Sequence, residues 1–221
     1  MEQMPGVFVS VDGPSGIGVS TTVRALGELL RTRGVPMHLT SEPSETDIGV
    51  LASARVDVET SGPALACLFA ADRYQRLQVE IRPRLAAGEV VVSDRYVPTG
   101  LVTQRLDDVE LDFLQAINAL ADPPDLAVIL TADPAKIAER LQRSGVRNRY
   151  HRRPDISARE NILYKDASEA FASAGVQVLR LETSHYPPDI LASMICTRIE
   201  ALRARRDAPG ESGRTPLMSG P

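Results

Sequence analysis

VFVSVDGPSGIGVSTTVRAL, residues 7–26, reads as a buried strand, a glycine-rich turn and the opening of a helix. The turn Gly13-Pro14-Ser15-Gly16-Ile17-Gly18-Val19-Ser20 fits the phosphate-binding pattern G-x-x-x-x-G-K-[ST] at every position but the lysine, where Val19 stands. Glycines at 13, 16 and 18 let the backbone curl until successive N–H groups face one point, and the following helix adds its positive end. Phosphate binding needs only that backbone. Ser20 stands where a hydroxyl ligates Mg²⁺ beside the outer phosphates, and Thr21 where one reaches the α-phosphate. The plain alternative is a tight strand-to-helix turn that holds no ligand. Arginine bias does not explain the missing lysine. Lys136 and Lys165 are the only lysines among 25 basic residues, but such a bias turns Lys into Arg and not into Val.

Working outward, four more short apolar runs follow the first: PMHLT (36–40), EVVVS (89–93), DLAVILT (125–131) and VQVLRL (176–181). They are too short for helices and too continuously apolar for strands wetted on one face, so they predict a five-stranded parallel sheet with helices on both faces. The class is α/β. Helical patterns fall near 20–33, 63–87, 108–121, 134–143, 157–173 and 188–205, each long enough to cross over between parallel strands. Pro83 is expected to kink or divide the third strand's preceding helix, unless a helix restarts there. A chain of 221 residues supports one core, here residues 1–205, and the Gly/Pro/Ser-rich stretch 206–221 reads as a disordered C-terminal tail. A net charge of −4 argues against a general nucleic-acid or acidic-membrane partner. No apolar run reaches membrane-spanning length and no signal-peptide core is present, so the expected location is cytoplasmic. Cys67 and Cys196 sit in helical patterns and suit packing better than a disulfide or zinc site. His38, His151 and His185 form no ligand or nucleophile–base pattern.

The landmarks beyond the loop come in a telling order: TSEP (40–43) ending the second strand, CLFAADR (67–73) on a long helix, SDRY (93–96) after the third strand, and Gln104 beyond it. This order resembles the thymidylate kinase family, P-loop nucleoside monophosphate kinases with strand-end REP, helical FAADR, DRY or DRH, and S..AYQ motifs. The resemblance runs from the loop to about residue 181 and implies ATP and Mg²⁺ as cofactors, a nucleoside monophosphate as partner and a homodimer. Carried over by position, it makes Asp12, Asp94, Arg95, Arg149 and Arg143 catalytic, and Ser20 and Asp94 the metal site. Gly13, Ser15, Gly16, Gly18, Val19, Ser20 and Thr21 would hold the donor. Glu42, Phe69, Arg73, Thr99, Thr103 and Gln104 would hold the acceptor: Phe69 stacked on the base, Arg73 at its edge one helical turn on, Glu42 with Pro43 bordering the site, and Thr99 with Gln104 bonding a pyrimidine. Arg95 would fork onto the acceptor phosphate. Tyr164 matches a recurrent family tyrosine. Capping a helix or loop is the plain alternative for Asp12 and Asp94, and Phe69 read alone is better taken as a core residue.

ERLQRSGVRNRYHRRPD (139–155) corresponds to the family's arginine-rich lid, at about 143–155, with Arg149 matching the arginine of its DR motif and Asn148 replacing the aspartate. A solvated basic loop is the alternative. The sequence departs from the family at Val19, at Ser41 in place of an arginine, and at Thr103, where a tyrosine that disfavours a 2′-hydroxyl is replaced by a smaller side chain. Two functions follow. One is a kinase moving the ATP γ-phosphate to a thymidylate-like or modified pyrimidine nucleoside monophosphate. The other is a catalytically weak or inactive kinase-like nucleotide-binding protein.

Overall fold

The computed structural model describes residues 6–56, 60–144 and 156–207. Strands β1 (Val7–Asp12), β2 (Met37–Ser41), β3 (Val90–Asp94), β4 (Leu126–Thr131) and β5 (Gln177–Glu182) form one sheet in the order β2-β3-β1-β4-β5. Every pairing is parallel, as the apolar runs require. The central strands are apolar on both faces because both are covered. On one side α1 (Val19–Thr32) and α9 (Pro188–Asp207) pack together over Val9, Val11, Val90 and Val128. On the other, Phe8, Val91 and Ala127 meet Leu77, Ile81, Tyr96 and Leu114.

The remaining helices are α2 (Asp47–Arg55), α3 (Gly62–Arg76), α4 (Arg82–Ala86), α5 (Val97–Thr103), α6 (Leu111–Asn118), α7 (Pro134–Ser144) and α8 (Ile156–Ser173). Pro83 does not interrupt the run of helical turns: a π-helical turn, Leu77–Ile81, joins α3 to α4 directly, every junction residue keeps right-handed helical dihedrals, and Pro83 follows that wider turn near the start of α4. Two helices escaped the periodicity. Helix α2 is short and weakly amphipathic, and starts because the Thr46 side chain accepts from the Gly49 N–H. Helix α5 contains Pro98 and Gly100, residues that read as a loop. Helix α9 runs to Asp207, two residues past the expected boundary, and its Arg206 pairs with Asp125. Most of the predicted tail lies outside the described residues.

Open parallel sheets bind ligands beyond the carboxyl ends of their strands. Here β1 ends in the glycine loop, β2 in Ser41-Glu42, β3 in Asp94-Arg95, and β4 leads into α7. Three of the candidate segments therefore meet at one rim because parallel pairing puts every strand end on the same side, and the arginine-rich segment lies almost wholly outside the described residues.

Candidate active site

The loop is built by its backbone. Gly16 (φ 76°) and Gly18 (φ 106°) occupy the left-handed region, and a Cβ on Gly16 would lie 2.7 Å from the Leu141 side chain. Gly18 caps α1 with no side-chain cap, and no acidic residue stands in the first turn, so the N–H groups at that end keep their anion-binding character. Val19 opens α1 with its side chain in the core, 3% exposed, in the cluster holding Val23, Leu26 and Ile137. Ser20 and Thr21 are exposed. Ser20 and Asp94 line one cleft of about 850 Å³, together with Arg24, Ser41 and Ser44. A hydroxyl and a carboxylate facing one cleft suit a hard divalent cation, so the donor set fits Mg²⁺.

Behind the loop lies a hydrogen-bonded knot. Asp12 is fully buried, and its Oδ1 accepts from the Tyr96 N–H (2.9 Å), the Thr99 N–H (3.1 Å) and the Thr99 hydroxyl (2.7 Å). Its Oδ2 has no hydrogen-bond partner among the described residues. Burial pushes the Asp12 carboxyl above its ordinary pKa, against the bonds from Thr99 and Tyr96 that favour the anion. Arg95, held at φ 71°, donates from Nη1 to the Gly13 carbonyl at 2.9 Å and to the Tyr164 hydroxyl at 3.3 Å. The Tyr164 hydroxyl also meets Thr99 Oγ1 at 3.0 Å. Asp12, Arg95, Thr99 and Tyr164 thus form one unit fixed to the loop.

The acceptor-side residues separate into two groups. Arg73 is 1% exposed: its Nε donates to Glu42 Oε2 at 3.0 Å, Nη2 binds Glu42 Oε1 and Nη1 binds Asn118 Oδ1. Arg76, also buried, donates to the same Glu42 Oε2 at 3.2 Å, to Thr40 at 3.2 Å and to Ser93 at 2.7 Å. Glu42 and Arg73 therefore hold each other in the interior. Gln104 is buried nearby, since a Cβ on Gly100 would lie 3.0 Å from Arg73 Nη2 and 3.2 Å from Gln104 Oε1. Phe69 is half-buried on α3 outside the three core clusters. Thr103 turns its hydroxyl back onto the Thr99 carbonyl at 2.9 Å. Arg149 lies outside the described residues, as does the side chain of Arg143.

Three residues and one contact lie outside the motif reading. Arg76 lies three positions after Arg73, a spacing that signals a shared helix face. Glu160, four before Tyr164 on α8, carried the same signal. Asn118 and the loop contact of Arg140 arise from tertiary packing and had none. Arg140 Nη1 donates to the Ile17 carbonyl (3.3 Å) and Thr183 Oγ1 (3.1 Å), at a second cleft of about 500 Å³ shared with Gly18, Thr21, Tyr186 and Pro188.

A glycine loop at the end of the first strand, an uncapped helix end behind it and a DR pair on the neighbouring strand define a P-loop nucleotide-binding fold of the nucleoside monophosphate kinase type. The family model described as thymidylate kinase matches residues 11–183. Among curated relatives, a probable thymidylate kinase of Caldivirga maquilingensis is 33% identical over 153 residues, covering 68% of this chain and 75% of its own. A probable thymidylate kinase of Pyrococcus abyssi is 30% identical over 86% of this chain and 96% of its own. The thymidylate kinase of Clavibacter sepedonicus is 30% identical over 91% and 98%. The chain belongs to the thymidylate kinase family, and so to the dTMP kinase-like phosphotransferases.

Proposed function

We propose that the protein transfers the γ-phosphate of ATP to a pyrimidine nucleoside monophosphate, thymidylate or a close relative, as a cytoplasmic homodimer. The observation that carries this reading is the Arg95–Gly13 bond, which fixes the acceptor-side guanidinium directly against the donor loop. A lone turn would have no such partner. In the reaction the loop N–H groups from Ser15 to Thr21 bind the donor phosphates, and the cleft with Arg140, Thr183 and Tyr186 takes the donor's base end. Ser20 and Asp94 would hold Mg²⁺, which neutralises charge on the donor phosphates. Arg95 pairs its fork with the acceptor phosphate, aligned by Asp12, Thr99 and Tyr164. An acceptor phosphate oxygen then bonds to the γ-phosphorus as the bond to the bridging β–γ oxygen breaks, and ADP leaves. Val50, Leu51 and Phe113 are exposed apolar side chains that a second copy would cover in such a dimer. Light scattering on the eluted protein measures that state.

A coupled ADP-release assay across the common nucleoside monophosphates tests the reaction, with pyrimidine acceptors expected to turn over and purine acceptors not. No turnover with any acceptor, alongside measurable ATP binding, would leave a nucleotide-binding protein in place of an enzyme. The sugar gives a sharper expectation. Because the small Thr103 side chain spends its hydroxyl on Thr99, ribose and 2′-deoxyribose acceptors should differ in kcat/KM by less than about tenfold. Thr103→Tyr should widen that gap in favour of the deoxy form. A strong native preference for the deoxy acceptor would remove Thr103 as its determinant.

A further inference from the structure

Glu160 has no task in the reaction outlined above, yet it touches the phosphate loop. It is 1% exposed on α8, and its Oε1 accepts from both the N–H and the hydroxyl of Ser15, at 3.4 and 3.3 Å. The other oxygen, Oε2, is enclosed with no hydrogen-bond partner among the described residues. Ser15 stands two positions past Gly13, inside the curl whose N–H groups are arranged to meet an anion. A buried carboxylate bonded through one oxygen and orphaned at the other is a poor device for stability, because its desolvation is only partly offset. As an anion seated at an anion-binding loop it has a plainer reading. We propose that Glu160 is an internal competitor for the phosphate loop. Its carboxylate holds the Ser15 N–H and hydroxyl until a nucleotide phosphate displaces it, and so sets the affinity for the donor.

The arrangement has a second consequence. Tyr164, one turn further along α8, bonds Arg95 and Thr99. Displacing Glu160 therefore acts on the same helix that holds the acceptor-side arginine, which links donor arrival to the acceptor site. Burial, opposed by the Ser15 bonds and by Arg95, pushes the Glu160 carboxyl above its ordinary pKa, in keeping with an anion held at some cost.

The inference rests on the loop being the nucleotide site, and the test separates the two. Calorimetric titration of ADP and of ATP, each with and without Mg²⁺, is run on the full chain as wild type, Glu160→Gln, Ser15→Ala and the double variant, with thermal melts to confirm folding. Glu160→Gln is expected to bind ADP roughly tenfold tighter, the scale of one charged hydrogen bond removed from competition. Ser15→Ala should change affinity in the wild-type background and have little effect beside Glu160→Gln. Glu160→Asp, which withdraws the carboxylate by one methylene, should tighten binding in the same direction and serves if the glutamine variant fails to fold. Unchanged or weaker ADP binding by folded Glu160 variants overturns the proposal, and weakening confined to Mg²⁺-containing titrations assigns Glu160 to the metal instead. A wild type that binds no nucleotide overturns this inference and the nucleotide-site reading together.

Discussion

Glu42→Ala is expected to lower the stability of the protein by about 3–5 kcal/mol, the cost of breaking a buried ion pair from one side. Glu42 joins two guanidinium groups, of which Arg73 is 1% and Arg76 0% exposed. Removing it leaves two positive charges in a dry interior. Asn118 still meets Arg73, and Thr40 and Ser93 still meet Arg76, but these neutral partners satisfy donors without neutralising charge. Glu80, 4.0 Å from Arg76, is a partial exception. For a domain of this size the loss corresponds to a fall in Tm on the order of 10 °C, read by calorimetry. Glu42→Gln keeps the shape and some hydrogen bonds while removing the charge, and should fall between the wild type and alanine. A loss under about 1 kcal/mol for Glu42→Ala would mean that water reaches the two arginines and that Glu42 is available to a ligand.

The same cluster shows where the sequence was legible and where it was not. Each strand appears within a residue of its apolar run; for the central β1, β3 and β4 this is because a strand buried on both faces needs a nearly unbroken apolar stretch, and that demand is local. The loop was legible for a like reason: glycines at 13, 16 and 18 and a hydroxyl at Ser20 are requirements of one short backbone path. The positions of Asp12, Arg95, Thr99 and Tyr164 were legible through motif order, with Thr99 assigned to a pyrimidine and not to Asp12. What the residues do to each other was not. Sequence placed Arg73 at a base edge and Glu42 at a border, but whether a guanidinium faces a ligand or a carboxylate depends on packing across 31 positions. The Ser15–Glu160 contact spans 145 positions: the spacing of Glu160 and Tyr164 marks a shared helix face but not which loop that face meets. Helices α2 and α5 were missed because a hydroxyl cap and a Pro/Gly-containing turn decide them, with little amphipathic pattern.

Val19→Lys is expected to raise kcat by ~10²–10³ while lowering stability by about 1–2 kcal/mol. The gain is the scale of one charge-stabilising donor placed at a developing charge in a site closed to water. The loss is that of a fully packed valine side chain, since Val19 is 3% exposed among Val23, Leu26 and Ile137, and a lysine there must leave that core to reach the phosphates. Position 19 thus exchanges transition-state charge for packing, a trade that leaves donor binding largely intact because the backbone N–H groups and the end of α1 are unchanged. Three described cations approach the loop, and each spends a donor on its carbonyls: Arg95 on Gly13, Arg140 on Ile17 and, from an exposed position, Arg24 on Ser20. None takes the place at the start of α1 from which a lysine follows the γ-phosphoryl group. Steady-state rates and ADP titrations on the wild type and Val19→Lys measure both arms. An unchanged kcat with ADP binding retained would show that another arginine already supplies the charge, and Arg140→Ala and Arg95→Ala in the two backgrounds would then identify it by which loss the added lysine rescues.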